Sequence, residues 1–266
     1  MPELPEVETI KRDLTNKVVN KRIVAVRINK PNIIKEPGVK AFKNGLIGKT
    51  IKEVKRKAKL LILKLSEGKF LIVHLRISGW LLYGQNQDKA RVVFKLSDGK
   101  YLNYMDQRVL GEMRLRSSYE DLKFVKELGP EPFEITLSGF KELVKGKKTK
   151  IKVLLLDQKV ISGIGNIYAQ EALFLAKIDP KKIANKLTNK ESEALYEKVV
   201  SVLKEGIKHK GSSVDSYRNL SGDKGGMEKR LKVYGRAKKP CYKCKTLIQK
   251  IALGGRGTCF CPKCQQ

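Results

Sequence analysis

The sequence predicts an α+β chain of several domains: an N-terminal β-sandwich fronted by a helix, a helical domain, and a small C-terminal cysteine-bearing module. Three observations carry this reading. Residues 22–105 hold short runs rich in branched and aromatic side chains. Two prolines in "LGPEPFEITL" (128–137) break both periodicities and mark a boundary, after which the spacing turns helical. The last 36 residues hold paired cysteines.

The elements follow in order. Val7, Ile10, Leu14 and Val18 recur at steps of three and four, the spacing of one helix face, so a helix directly follows the opening "MPELPEVE". Strands are expected in "RIVAVRI" (22–28), "LLILKL" (60–65), "FLIVHLRI" (70–77) and "ARVVFKLSDGKYLNYM" (90–105), the last folded as a hairpin at Asp98-Gly99. Helical runs follow at "GFKELVKG", "KIKVLLLDQKVISGIGNIYAQEALFLAKI" and "NKESEALYEKVVSVLKEGIK", the last starting at Asn189. Residues 211–230 have little periodicity and read as a mobile loop. The expected domains are 1–130, 131–230 and 231–266.

The chain has 266 residues, 41% of them apolar, which suffices for real cores. Its formal charge is +30, from 57 Lys and Arg against 27 acids. A polyanionic partner is the leading physical reading, against a lysine-rich solvated surface. The acidic start lacks an apolar leader, and no apolar run nears the ~20 residues that span a bilayer. These features lead us to expect a cytoplasmic protein with no membrane partner. In that compartment five cysteines do not suggest a disulfide framework.

Cys241-x2-Cys244 and Cys261-x2-Cys264 are two knuckles, each able to present two thiolates to one ion. Four thiolates leave no open position, so the expected Zn2+ is structural. Cys259 falls outside the knuckle spacing and reads as a packed residue. "GGRGT" (254–258) lies between the knuckles on an expected turn, from which Arg256 projects. "GIGN" (163–166) places glycines before a helix, where free N–H groups and the dipole attract phosphate. "GLIGKT" (45–50) lacks the first glycine of a nucleotide loop, since residue 43 is Lys. His74 and His209 are too far apart to suggest a histidine metal site or a Ser–His triad.

The start of the chain suggests covalent chemistry. Small Pro2 permits removal of Met1, which would leave a secondary α-amine beside Glu3. Such an amine titrates near ~8, against ~10.4 for lysine, so a useful fraction is unprotonated at neutral pH. Added to an aldehyde-like carbon it gives a cationic iminium, an electron sink for elimination, and Glu3 can move the protons. The alternative is an acidic first helical turn that simply suits the dipole.

Together, "MPELPEVE", "GIGNIYAQEALF", "VYGR" (233–236) and "GRGT-x-FCPKCQ" stand in order along the whole chain and resemble the formamidopyrimidine-DNA glycosylase family. The resemblance implies a β-sandwich domain, a helix–two-turn–helix domain and a β-hairpin zinc finger with no organic cofactor. It implies a monomer of base excision repair, associated with the nucleoid. That enzyme would act on double-stranded DNA containing oxidised purines or abasic sites. By likeness, Pro2 is the nucleophile, Glu3 the proton donor and Glu6 a supporting carboxylate. Lys59, in "RKAKLL", contacts phosphate and assists β-elimination, and Arg256 binds phosphates and assists δ-elimination. His74, Lys89, Lys147, Lys148, Asn166, Tyr234 and Lys250 fall where the family grips the backbone. Ile77, Arg108 and Leu110 align with the three side chains that fill the hole left by a flipped base. Here Ile and Leu replace the usual Met and Phe, and Lys89 and Arg91 stand where relatives often carry histidines. The endonuclease VIII enzymes, which prefer oxidised pyrimidines, are the nearest rival, opposed by "PELPEVE" and Arg108. A non-catalytic zinc-bearing DNA-binding protein is the rival that an uncleaved Met1 would favour.

Overall fold

A computed structural model describes residues 1–214 and 216–266. Asp215, inside the stretch expected to be a mobile loop, lies outside the described residues. The chain divides into two compact units, Met1–Lys126 with Gly206–Glu228, and Glu127–Glu205 with Lys229–Gln266.

The first unit begins with α1 (Leu4–Val18). Val7, Ile10, Leu14 and Val18 are all fully buried. Each such side chain stabilises by roughly 1.5–3 kcal/mol when removed from water, so this face anchors the start of the chain. Pro5 sits in the first turn, where its missing N–H breaks no helical bond. The strands are β1 (Ile23–Ile28), β2 (Ile34–Glu36), β3 (Ile51–Lys57), β4 (Leu60–Leu65), β5 (Phe70–His74), β6 (Gly79–Gly84), β7 (Val92–Leu96), β8 (Tyr101–Asp106) and β9 (Glu112–Arg116), with α2 (Val39–Leu46) and α3 (Lys123–Lys126) between and after them.

They form a four-stranded sheet, β1-β7-β8-β6, and a five-stranded sheet, β2-β9-β5-β4-β3. Val92, Phe94, Leu102 and Tyr104 of the first sheet share one core with Leu61, Leu63, Leu71, Val73 and Met113 of the second, closed by the buried face of α1. Leu60, Ile62 and Ile72 instead form a second apolar cluster with Leu122. Successive side chains on a strand alternate faces, so "LLILKL" is continuously apolar because β4 is covered on both sides. The expected strand 70–77 ends at His74, because the chain turns back there to enter β6, with Gly79 N–H donating to Leu75 O at 2.9 Å.

The stretch 211–230, expected to be a mobile loop, makes specific contacts within the first unit. Its described residues are bonded and packed. Ser212 bridges Gly226, Met227 N–H donates to Gly211 O at 3.0 Å, and Tyr83 N–H donates to Leu220 O at 3.0 Å. Tyr217 and Leu220 belong to the first unit's core. Two apolar anchors and backbone bonds make these contacts, and neither produces a periodic pattern in the sequence.

The second unit carries α4 (Leu137–Lys145), α5 (Ile151–Leu156), α6 (Asn166–Leu175), α7 (Asn189–Lys208, counted with this unit as far as Glu205) and the hairpin β10 (Gln249–Leu253) with β11 (Arg256–Phe260). Helix α7 starts at Asn189 as expected, and Thr188 caps it. Its hydroxyl accepts from Glu191 N–H at 3.2 Å, and the Glu191 carboxylate accepts from Thr188 N–H at 2.9 Å, a reciprocal capping box. Among the described residues no helix is long and apolar enough to cross a membrane.

Candidate active site and nucleic-acid interface

In the first unit, Pro2, Glu3 and Glu6 are all buried at the start of α1. Glu6 is the bridge. Its Oε2 accepts from Glu3 N–H at 2.8 Å and its Oε1 accepts from Ser212 N–H at 2.8 Å. Gly211, at φ +80°, leaves no room for a Cβ, which would lie 2.8 Å from Glu6 Cγ. Burial, with the Glu6 charge beside it, holds the Tyr217 phenol well above its ordinary range. Two residues further on, Glu8 accepts from Arg12 Nε at 2.9 Å and from Arg56 Nε at 3.0 Å. Burial raises its pKa, but the two guanidinium groups outweigh burial and hold the carboxyl below the usual range.

Arg56 also donates to Ala58 O at 3.0 Å. It thereby ties α1 to the two-residue turn between β3 and β4, where Ala58 has φ +50° and Lys59 is buried. Lys59 precedes Leu60, the register partner of His74. His74 Nδ1 accepts from Arg76 N–H at 3.0 Å. Burial, then the cations of Arg76 and Lys59, push its pKa down to about 3, against the opposing charge of Glu112. The ring is therefore neutral and carries its proton on Nε2, able to donate one bond but not a positive charge.

Ile77, Arg108, Leu110 and Lys89 are exposed in this unit, Ile77 at 39% and Leu110 at 47%. Ile77 lies on the loop between β5 and β6, and Arg108 and Leu110 lie on the loop between β8 and β9. Both loops are held at Asp106. Ser78 Oγ donates to Asp106 Oδ1 at 2.5 Å, Arg108 N–H to the same oxygen at 3.1 Å, and Gly111 N–H to Oδ2 at 2.7 Å. Arg91 Nε donates to the Asp106 carbonyl at 2.8 Å, so this arginine has a structural bond as well as its charge.

In the second unit, the thiols of Cys241, Cys244, Cys261 and Cys264 all lie within 4.8 Å of one another. No disulfide joins them. A tetrahedral zinc with Zn–S near 2.3 Å spaces its sulfurs about 3.8 Å apart, so the donor set fits one structural Zn2+. Lys243 N–H points at Cys241 Sγ at 3.4 Å, as a metal knuckle needs. Cys259 is buried on β11, its N–H held by Gln170 Oε1 at 2.7 Å, and is packed rather than ligating.

The turn between β10 and β11 is Gly254-Gly255, with φ +58° and +70°, the backbone that a two-residue hairpin of this kind demands. Arg256 follows it, exposed. Helix α6 grips this hairpin: Asn166 Nδ2 and Gln170 Nε2 both donate to Gly257 O at 3.2 Å. From α5, buried Lys152 donates to Thr258 Oγ1 at 2.8 Å. The buried carboxylate of Glu171 accepts from the N–H groups of Lys232, Val233 and Tyr234 at 2.7–3.0 Å. Lys147, Lys148 and Lys250 are exposed, and Tyr234 is half-buried. Sequence reasoning missed Asp106, Lys152, Gln170, Glu171 and Ser212. A charged residue inside an apolar run was the available signal, for Lys152 in α5 and Glu171 in α6.

A two-sheet unit joined to a helical unit that grips a zinc hairpin defines a zinc-bearing protein of the helix–two-turn–helix class. Three family models cover most of the chain: the N-terminal domain of formamidopyrimidine-DNA glycosylase (1–113), its H2TH domain (128–218), and the zinc finger found in FPG and IleRS (238–266). Formamidopyrimidine-DNA glycosylases of Pelotomaculum thermopropionicum and Cytobacillus firmus are 40% and 41% identical, covering 100% of this chain and 99% and 100% of theirs. The Lactococcus lactis enzyme in complex with a Fapy-dG-containing DNA, as a G226P mutant, superposes with TM-score 0.92 at 36% identity over 100% of both chains. Its complex with an abasic-site DNA gives the same TM-score and identity over 99% of both. The chain belongs to the formamidopyrimidine-DNA glycosylase family, and that membership makes it a DNA glycosylase of base excision repair.

Proposed function

We propose that this chain is a monomeric, cytoplasmic, bifunctional DNA glycosylase and abasic-site lyase. It removes oxidised purines, 8-oxoguanine and formamidopyrimidines, from double-stranded DNA and then nicks the strand. The observation that carries the reading is the buried Pro2-Glu3 start, pinned through Glu6. After removal of Met1, the Pro2 amine uses its lone pair to form a bond to the sugar C1′ as the base leaves with the C1′–N bonding pair, and the departing base takes up the proton that the amine nitrogen loses. Glu3 protonates the ring oxygen, the sugar opens, and C1′ and the amine become an iminium.

Loss of a C2′ proton then sends electrons into that sink. The 3′ phosphate departs by β-elimination and the 5′ phosphate by a following δ-elimination. Lys59 assists the first departure and Arg256 the second. His74, Lys89, Lys147, Lys148, Asn166, Tyr234 and Lys250 hold the phosphate backbone, His74 as a neutral donor. Ile77 and Leu110 fill the space left by the flipped base, and Arg108 offers donors to O2 and N3 of the orphaned cytosine. The relatives solved with Fapy-dG and abasic-site DNA support this substrate class.

Borohydride reduction of the enzyme on a lesion-bearing duplex tests the chemistry. The expected result is a covalent adduct on residue 2 of a chain lacking Met1. An adduct mapped to a lysine overturns the assignment.

A further inference from the structure

Asp106 sits at the end of β8, paired with Gly79 at the start of β6. It is 2% exposed. Its carboxylate accepts four hydrogen bonds. Oδ1 takes the Ser78 hydroxyl at 2.5 Å and Arg108 N–H at 3.1 Å; Oδ2 takes Gly111 N–H at 2.7 Å and the Tyr104 hydroxyl at 3.2 Å. Ser78 Oγ in turn accepts from Arg108 N–H at 3.1 Å. A carboxylate has about four acceptor sites, so this one is filled.

Tyr104 donates from β8 itself, and the other three donors come from two loops. One runs from Leu75 to Gly79 and carries Ile77. The other runs from Gln107 to Gly111 and carries Arg108 and Leu110. Each contains a non-glycine residue at positive φ, Arg76 at +53° and Val109 at +55°, a conformation that persists only where the surroundings enforce it. The packing beneath has no slack. A Cβ on Gly111 would lie 1.5 Å from Tyr104 Oη, and one on Gly79 would lie 2.5 Å from the same oxygen. One buried carboxylate therefore fixes three exposed side chains that do not touch it.

We infer that Asp106 is a positioning residue that locks Ile77, Arg108 and Leu110 into a single rigid wedge, so that base flipping and reading of the opposite base depend on it. The inference rests on the wedge reading above. A wedge entering a base stack meets an unstacking cost of a few kcal/mol, and a loop that yields would bend before the bases part. The reader needs the same rigidity, because Arg108 discriminates by geometry and its backbone N–H is itself held by Asp106.

The test is single-turnover excision of 8-oxoguanine opposite cytosine or adenine by wild type, Asp106→Asn, Ser78→Ala, Arg108→Ala and the Asp106→Asn/Arg108→Ala double variant. An amide presents one acceptor oxygen, so half of the four bonds lose their acceptor. Asp106→Asn should slow excision opposite cytosine by about tenfold, the kinetic equivalent of one charge-assisted bond. The loss opposite adenine should be smaller, so the cytosine-to-adenine ratio falls. Ser78→Ala should lower the ratio in the same direction by less, and serves alone if Asp106→Asn does not fold. The double variant should keep the ratio of Arg108→Ala, since the two act as one unit. Asp106→Asn and Ser78→Ala variants that slow both duplexes equally would reduce Asp106 to a fold stabiliser and overturn the proposal. An Arg108→Ala variant that itself keeps the wild-type ratio would sink the wedge reading first, and the proposal with it.

Discussion

Glu6 Oε1 accepts a hydrogen bond from the backbone N–H of Ser212 at 2.8 Å, although the two residues lie 206 positions apart. The other oxygen of the same carboxylate holds Glu3 N–H at 2.8 Å. One buried side chain thus couples the start of α1 to the segment that returns from α7. Glu6→Gln keeps the shape but places an amide NH2 against one of the two N–H groups. A hydrogen bond to a charged group is worth about 1.5–3 kcal/mol, and leaving a buried donor unpaired adds to the loss. We expect Glu6→Gln to slow base removal by about tenfold or more and to lower the denaturation midpoint. Single-turnover kinetics beside a urea titration measure both, and unchanged values in both would refute the bridge.

Glu3 immediately precedes α1 and stands four residues before Val7, the first side chain of its anchored face, and Glu6 fixes its backbone. If it is the acid that opens the sugar, Glu3→Gln should nearly abolish excision of an intact lesion. A preformed abasic sugar already opens unaided, so strand cleavage there should survive better. The comparison needs two duplexes and one variant. Equal losses on both would remove Glu3 from the ring-opening step.

The zinc site and the Arg256 hairpin belong to one structure. Cys241, Cys244, Cys261 and Cys264 flank β10 and β11, and Asn166, Gln170 and Lys152 hold that hairpin from α5 and α6. Metal-binding energy is folding energy in such small modules. Cys244→Ser should therefore release zinc, expose the hairpin amides to hydrogen exchange and weaken DNA binding as Arg256 loses its support. Metal analysis, exchange and a binding titration follow the three effects. Full affinity in a zinc-free variant would contradict the structural role.

Local signals made much of this molecule readable from the sequence. The stripe Val7, Ile10, Leu14, Val18 predicted α1, Asp98-Gly99 predicted the turn between β7 and β8, and the cysteine spacing predicted the metal cluster, because each pattern repeats over a few residues. What was illegible is long-range or masked. Strand β3 lies at a sheet edge; only Ile51 and Val54 of it are buried, and its charges hide the alternation. Asp106 carries no signal until Ser78, Arg108 and Gly111 converge on it. Ser212 carries no signal until Glu6 is placed beside it. By resemblance His74 falls where the family grips the backbone, and only its neighbours show that it is held neutral.

That neutrality has a measurable consequence. Burial first, then Arg76, Lys59 and Arg114, depress the pKa of His74 from 6.5 to about 3, while Glu112 opposes them. The unfolded chain takes up a proton near pH 6.5; the folded chain resists until about pH 3. Below 6.5 the unfolded state therefore binds more protons, and stability falls as pH falls. The stabilisation due to a neutral His74 is complete above pH 6.5 and is lost progressively towards pH 3. Denaturant titrations between pH 7 and pH 4 should show a steeper loss in wild type than in His74→Gln, by up to one proton in the slope. The comparison is made between the two proteins at each pH, so acid release of zinc, common to both, cancels. Between pH 6 and 8, where the ring stays uncharged, His74→Gln should leave the salt dependence of DNA binding unchanged, because a neutral donor displaces no counterion. A salt slope reduced by about one unit in that variant would mean that His74 binds DNA as a cation, and the neutral assignment would be wrong.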